Sequence, residues 1–271
     1  MTLQSDRAGQ ADQTGQGGPA RLAAEGAQGG RCEPGARQGS GRGADRIAAL
    51  VREVDPGAGW AVGGVDGPDA VVEPGGRAIA PDVAGLAGVL AVWPVIGMLV
   101  DAGELALHTP LTAYGAADGL PAGITAHHLL THGSGVSPAL VGLAERLCGS
   151  PLAGFAADRI WGPLGMTRTG PDADGTLRAP AADLGRFLSH LLAPTGGGPV
   201  SRAWTAQSLR IRTGELLPAR GLLWHPSAHG SWSHGEGPAL WVSPRAQRWA
   251  ALLPTTPSAP LRTAFREAAF T

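Results

Sequence analysis

The sequence predicts an α+β fold: one antiparallel sheet built from both ends of the chain, with a helical subdomain inserted between them. Three observations carry this. Strand-like runs occur early, at residues 59–65 and 70–73, and again late, at 221–224, 231–234, 240–242 and 249–253. Helical spacing dominates the stretch between them. With 271 residues, 43% of them hydrophobic and 16% charged, the chain can bury a substantial core.

Each element has its own signal. Residues 1–44 are Gly, Gln, Ala and Arg with almost no large apolar side chain. Such a segment cannot bury enough surface to offset its ordering entropy, so it is predicted to be disordered, and the folded domain is predicted over 45–271. In residues 45–54 (DRIAALVREV), Ile47, Leu50, Val51 and Val54 recur at helical spacing, with Asp45 as a start cap. The first two strand runs are separated by Asp66-Gly67-Pro68-Asp69, a turn sequence. Residues 83–100 (VAGLAGVLAVWPVIGMLV) carry no charge and approach the length that spans a membrane. They are bounded by Asp82 and Asp101 rather than by cations and contain Pro94, so a buried core helix is the better reading. Residues 101–104 close that helix, and 105–111 form an extended connector. Thr125 caps a helix running through Thr131, and further helices are predicted over 139–148, 151–161, 181–192 and 260–269. No internal repeat is visible.

Composition excludes several classes. The net charge of −1 and a pI near 6.7 leave no basic patch for nucleic acid. The two cysteines, Cys32 in the Gly-rich tail and Cys148 in a helical pattern, do not form a disulfide framework. The N-terminus lacks a basic start followed by an apolar run, so no secretory signal is expected and a cytoplasmic location is. The chain contains no lysine at all, every Lys+Arg residue being arginine. A GC-rich coding bias accounts for lost surface lysines, but a lysine required for chemistry would resist that bias.

Five blocks then occur in a fixed order. They are LVDAGEL (99–105) followed by TPL (109–111), ITAHHLLTHGSG (124–135), WGPLGMTRT (161–169), ADLGRF (182–187), and WSHGEG (232–237) followed by WVSP (241–244). Together they resemble the serine β-lactamase and penicillin-binding-protein-like family, in particular its class C β-lactamase, D-peptidase and esterase branch. The resemblance implies a β-lactamase-like sheet with an inserted helical subdomain, here in reduced form. It also implies a chemistry of Ser-x-x-Lys at the start of the buried helix, a second Tyr- or Ser-based motif, and Lys/His-Thr-Gly on a strand.

Against that pattern the catalytic positions are vacated. Counting back from residues 99–103 places the serine near Leu86 and the lysine near Val89. No serine occurs between Gly41 and Gly133. A serine hydroxyl needs a base to become a nucleophile, so loss of both members removes covalent catalysis and its activation together. The second motif is missing too: residues 135–138 run almost directly into the next helix, and Tyr114, the only tyrosine, precedes the 124–135 block, where it packs the connector. The third motif survives in part as His234-Gly235-Glu236, with Glu236 adding a charge where a small residue is expected. Ser134 fits the family's structural turn and lacks the glycine two positions earlier that a nucleophile elbow requires. His128 and His132 stand four apart on one helix, as zinc ligands can, but the family block explains both, and no metal or cofactor is expected. The eight tryptophans are assigned to core packing.

The expectation is therefore a β-lactamase-related protein without catalysis, with a possible pocket formed by His234, Gly235, Glu236 and Ser134. Its partner would be a small-molecule ligand or none, with neither nucleic acid nor membrane. The alternative is an active serine hydrolase, esterase or acyl transferase using non-standard residues such as Ser134 or a histidine-assisted water. A membrane-associated protein held by residues 83–100 is a third.

Overall fold

A computed structural model describes residues 38–74, 80–115, 119–132, 137–194 and 197–271. Helix α1 (Gln38–Val54) is followed by the hairpin strands β1 (Gly59–Gly64) and β2 (Gly67–Val72). The uncharged run is one continuous helical rod of changing pitch: a 3₁₀ turn (Ala84–Leu86), a π-helical turn (Gly88–Val92) and α2 (Trp93–Asp101). Helices α3 (Ala126–His132), α4 (Pro138–Cys148) and α5 (Leu152–Ala156) follow, α5 running on into a π-helical turn (Ala157–Trp161). Next come the short strands β3 (Gly170–Pro171) and β4 (Leu177–Arg178), then α6 (Ala181–Leu192) and α7 (Arg202–Ser208). Strands β5 (His225–Pro226), β6 (Trp232–His234), β7 (Ala239–Ser243) and β8 (Arg248–Leu253) and helix α8 (Ala259–Phe270) complete the chain.

The main sheet has the order β2-β1-β8-β7-β6-β5, antiparallel throughout. The first strand pairs directly with the last, from Gly59↔Leu253 to Gly64↔Arg248, so the sheet is built from both chain ends as predicted. Alternation along the strands gives it two apolar faces. One face presents Trp60, Val62, Trp241, Ala250 and Leu252 to Ile47 and Val51 of α1 and to Leu261 and Phe265 of α8. The other presents Ala61, Leu240, Val242 and Ala251 to the central rod and α6. The Asp55 carboxylate, buried after α1, accepts hydrogen bonds from Thr255 N (2.7 Å) and Thr255 Oγ1 (2.8 Å), which ties the two ends a second time.

The rod is buried on all sides. Val83, Leu86, Val89, Leu90, Trp93, Val95 and Ile96 are each fully covered. Trp161 Nε1 donates to Leu90 O (2.8 Å), taking up a carbonyl that a regular helix would bond within itself. Among the described residues no helix is long and apolar enough to cross a membrane.

The structure corrects several sequence expectations. Helix α1 begins at Gln38, seven residues before Asp45, because turns already nucleated on buried Ile47 and Val51 propagate outward at little cost. Residues 1–37, the rest of the expected tail including Cys32, lie outside the described residues. The first hairpin turns at Val65-Asp66, with a bulge between Val62 and Gly63 that shifts the register. Residues 221–224 are not a strand. Gly221 N donates to Trp224 O (2.7 Å) and Leu223 has φ +62°, so the run is a tight turn that plugs three apolar side chains into the core. Helix α7 carried no apolar period. Its signal was the cap, Ser201 Oγ accepting from Trp204 N (2.9 Å).

A glycine inside α2 marks how tightly the rod is held. A Cβ on Gly97 would lie 2.4 Å from Trp204 Cδ1, and Trp204 is buried with its indole donating to Trp93 O (3.0 Å). In an open helix Gly→Ala gains about 1 kcal/mol. Here overpacking, typically about 1–3 kcal/mol, opposes that gain. Gly97→Ala is expected to lower the melting temperature by a few degrees in a thermal unfolding scan. A rise would mean that Trp204 yields without cost.

Candidate functional site

The site expected from the sequence lies where the start of the rod meets β6. Asp82 Oδ1 accepts from Ala84 N (2.8 Å) and holds the entry to the 3₁₀ turn. That turn presents Leu86 to the sheet, and Val89 follows in the π-helical turn; neither is exposed at all. Cross-strand pairing sets what faces them. His234 pairs with Leu240 and Leu240 with Ala251, a row on the face that covers the rod. Gly235, just past the end of β6, has φ +90°, and a Cβ there would lie 2.1 Å from Pro238 O and 2.7 Å from Leu86 Cδ2. Position 235 therefore accepts only glycine. Leu86 packs close to the Gly235 backbone, so a buried apolar side chain stands where the rod meets β6.

His234 is buried, and its chemistry is committed to the backbone. Its Nδ1 lies 2.6 Å from Leu223 O, and since a carbonyl only accepts, Nδ1–H is the donor. Burial pushes the imidazole below its ordinary pKa, outweighing the opposing effect of the nearby Leu223 and Gly85 backbone. The ring thus pins β6 to the turn at 223. Glu236 is exposed, and its carboxylate acts through space on Arg262 and His225.

Sequence reasoning passed over His225 and its neighbours. Arg220 Nη1 lies 3.1 Å from His225 Nε2, and a guanidinium only donates, so Nε2 accepts and the imidazole is neutral. Burial first, then Arg220, His234 and Arg262, push the His225 pKa down to about 4. Its ring stacks with His234 at 6.3 Å and 7°. Trp224, fully buried between His234 and Trp93, has an indole N–H without a partner. The available signal was the run Trp224-His225-Pro226 directly after an apolar stretch, where the only role assigned was packing.

The remaining candidates are dispersed. Ser134, with residues 133–136, lies outside the described residues. Tyr114 remains in the connector, its hydroxyl accepting from Ala106 N (2.9 Å). His128 and His132 place their rings 6.5 Å apart, and His128 Nδ1 sits 3.1 Å from Thr125 Oγ1 in the cap of α3. A groove of about 350 Å³ borders the Leu86 contact, lined in part by Asp82, Gly85, Pro238 and Thr255. Its one hydroxyl, Thr255 Oγ1, is already donated to Asp55. The described residues at this site can therefore shape and polarise a small surface, but they bring together no hydroxyl with a base.

Comparison with known proteins places this geometry. No protein-family model matches the chain, and no curated protein matches it. Solved structures do. A β-lactamase from Mycobacterium bovis is 23% identical, with a TM-score of 0.66 over 82% of this chain and 96% of its own. The D-alanine carboxypeptidase AmpC from Burkholderia cenocepacia is 16% identical, with a TM-score of 0.65 over 85% of this chain and 98% of its own. EstCE1, a hydrolase with promiscuous acyltransferase activity, is 13% identical, with a TM-score of 0.66 over 87% of this chain and 100% of its own. The order of the motif blocks and these alignments agree: the chain has the fold of the serine β-lactamase and penicillin-binding-protein-like proteins.

Proposed function

We propose that this chain is a catalytically inactive β-lactamase-related protein that serves a binding or regulatory role. Leu86 and Val89 stand in the family's serine and lysine positions. The observation that carries the reading is the packing of buried, apolar Leu86 close to the Gly235 backbone, which supplies no hydroxyl at that place. The absence of lysine from the whole sequence and the commitment of the His234 ring to backbone partners support it. The groove beside Asp82 and Pro238 is the best-placed surface for a small-molecule ligand. The competing reading, an active hydrolase with non-standard residues such as Ser134, draws support from neighbours such as EstCE1, a hydrolase.

Labelling decides between the two. Incubated with a fluorescent penicillin or a fluorophosphonate, the protein is expected to stay unlabelled and to hydrolyse neither β-lactams nor short acyl esters above the buffer rate. Stoichiometric labelling would establish the competing reading, and the labelled peptide would name its nucleophile.

Restoring the polar pair is expected to fail. Leu86→Ser with Val89→Lys removes two fully buried apolar side chains, worth about 1.5–3 kcal/mol each, and adds a cation with no partner at the same place. The double variant should lose most of a typical domain's stability of about 5–15 kcal/mol and gain no activity. A variant as stable as the parent that cleaves nitrocefin would refute the assignment of these positions.

The histidines give a pH signature. His225, His234, His190 and His127 all have folded-state pKa values below the ordinary imidazole value, burial being the largest cause in each. As pH falls through about 6.5 the unfolded chain takes up these protons first, so stability falls as pH drops from about 6.5 toward 4, the value for His225. The melting temperature should decline across that window, and His225→Gln should flatten part of the decline. A profile flat from pH 7 to 4.5 would show that the imidazoles are protonated in the folded state.

A further inference from the structure

The opposite face of the same sheet edge carries a second cluster. The row Val62, Ala250, Trp241, Ser233 and His225, each paired with the next, lies on the α8 side. Arg262 and Arg266 stand one helical turn apart on α8 and are both half-buried. Arg262 lies over the Trp241 ring, its guanidinium 5.6 Å from the ring centroid, and among the described residues it donates to no acceptor. Arg266 Nη1 makes a long hydrogen bond to Ser227 Oγ (3.4 Å), and its Nη2 stands 4.0 Å from Glu267 Oε1, beyond hydrogen-bond reach. Its Nε is buried without a partner. A guanidinium carries five donors, so the two together leave most of theirs unused in a place where water access is restricted.

The nearby carboxylates answer this only in part: Glu236 supports the Arg262 charge through space but accepts no hydrogen bond from it. Glu236 is exposed and hydrogen-bonds neither arginine, and the Glu267 side chain is 57% exposed. We propose that Arg262 and Arg266, with Ser227, form a binding site for a phosphate-type oxyanion between α8 and the β5–β6 edge. Two planar forks and a hydroxyl match a tetrahedral dianion with several acceptor oxygens, whereas a monocarboxylate satisfies one fork. The Trp241 face holds Arg262 in place, which lowers the cost of ordering it. The site uses neither Leu86 nor His234, so it does not depend on whether the chain is catalytic.

The full chain is titrated with inorganic phosphate, followed by thermal shift and by NMR of the His225 imidazole. Sodium chloride and acetate at matched ionic strength serve as controls. Phosphate is expected to raise the melting temperature beyond both controls. It should also move the His225 titration upward from about 4, because a dianion beside Arg262 offsets one of the cations that, after burial and Arg220, depress it. Arg266→Gln should weaken phosphate at least tenfold. Arg266→Lys, which keeps the charge and loses the fork, should weaken it less, and Ser227→Ala should weaken it severalfold without unfolding. Glycerol phosphate binding as well as the inorganic ion would assign the site to the phosphoryl group of an ester; binding of the inorganic ion alone would assign it to the free anion. An equal response to acetate or chloride, or a phosphate response unchanged in Arg266→Gln and in Ser227→Ala, would overturn the site.

Discussion

Six residue pairs between β1 and β8 hold together strands from opposite ends of the folded chain, and the rest of the molecule depends on that closure. Without it the sheet separates into a hairpin and a four-strand ladder, each with an uncovered apolar face. With it, one continuous surface takes α1 and α8 on one side and the uncharged rod on the other. The Asp55–Thr255 bonds reinforce the closure across 200 residues of sequence. Loop-closure entropy rises only slowly with length, so so long a loop costs little more in stability than a moderate one. It does cost speed, because the non-local pairs must form before they reward the chain.

The closure also explains why one strand edge carries two different surfaces. Successive residues of β6 point to opposite faces. His234 faces the rod and surrenders its ring to backbone partners; Ser233 belongs to the row that ends in His225 on the α8 side. On the rod side the contacts are apolar and dry, and apolar replacement of buried polar groups is often neutral or stabilising. On the α8 side the polar groups remain, and they are cationic. At the sheet edge the two meet, where the His225 and His234 rings stack.

Much of this was legible in the sequence, for physical reasons. The helices that pack by one apolar stripe, α6 and α8 above all, announce themselves through 3.6-residue spacing, and α6 matches its predicted bounds. The uncharged run declared burial but not pitch. The 3₁₀ and π turns come from tertiary contacts such as Trp161 Nε1 on Leu90 O, which no local pattern records. Residues 221–224 misled because apolar content alone does not separate a strand from a core plug; the positive φ of Leu223 decides it and leaves no compositional trace. Counting within the motif blocks singled out Leu86, Val89 and His234 but not the packing of Leu86 close to the Gly235 backbone, which tertiary structure alone sets. The Arg262–Arg266 pair did not follow from the sequence, because two arginines four apart on a terminal helix read as a solvated face until Trp241 and Ser227 are placed beneath them.

The two faces differ in how their polar atoms are satisfied, and that difference separates a relic from a site. On the rod side His234 has its partners within the protein, so binding a ligand there would first break internal bonds, each worth about 0.5–1.5 kcal/mol net. Among the described residues Trp224 Nε1 and Ser189 Oγ are left over on that side, neutral groups in an apolar surround. On the α8 side the unused donors belong to half-buried charged groups, so an incoming anion would gain hydrogen bonds without breaking any but the long one to Ser227. Ligand binding on this frame would therefore gain most where the donors are unspent, which is the α8 face.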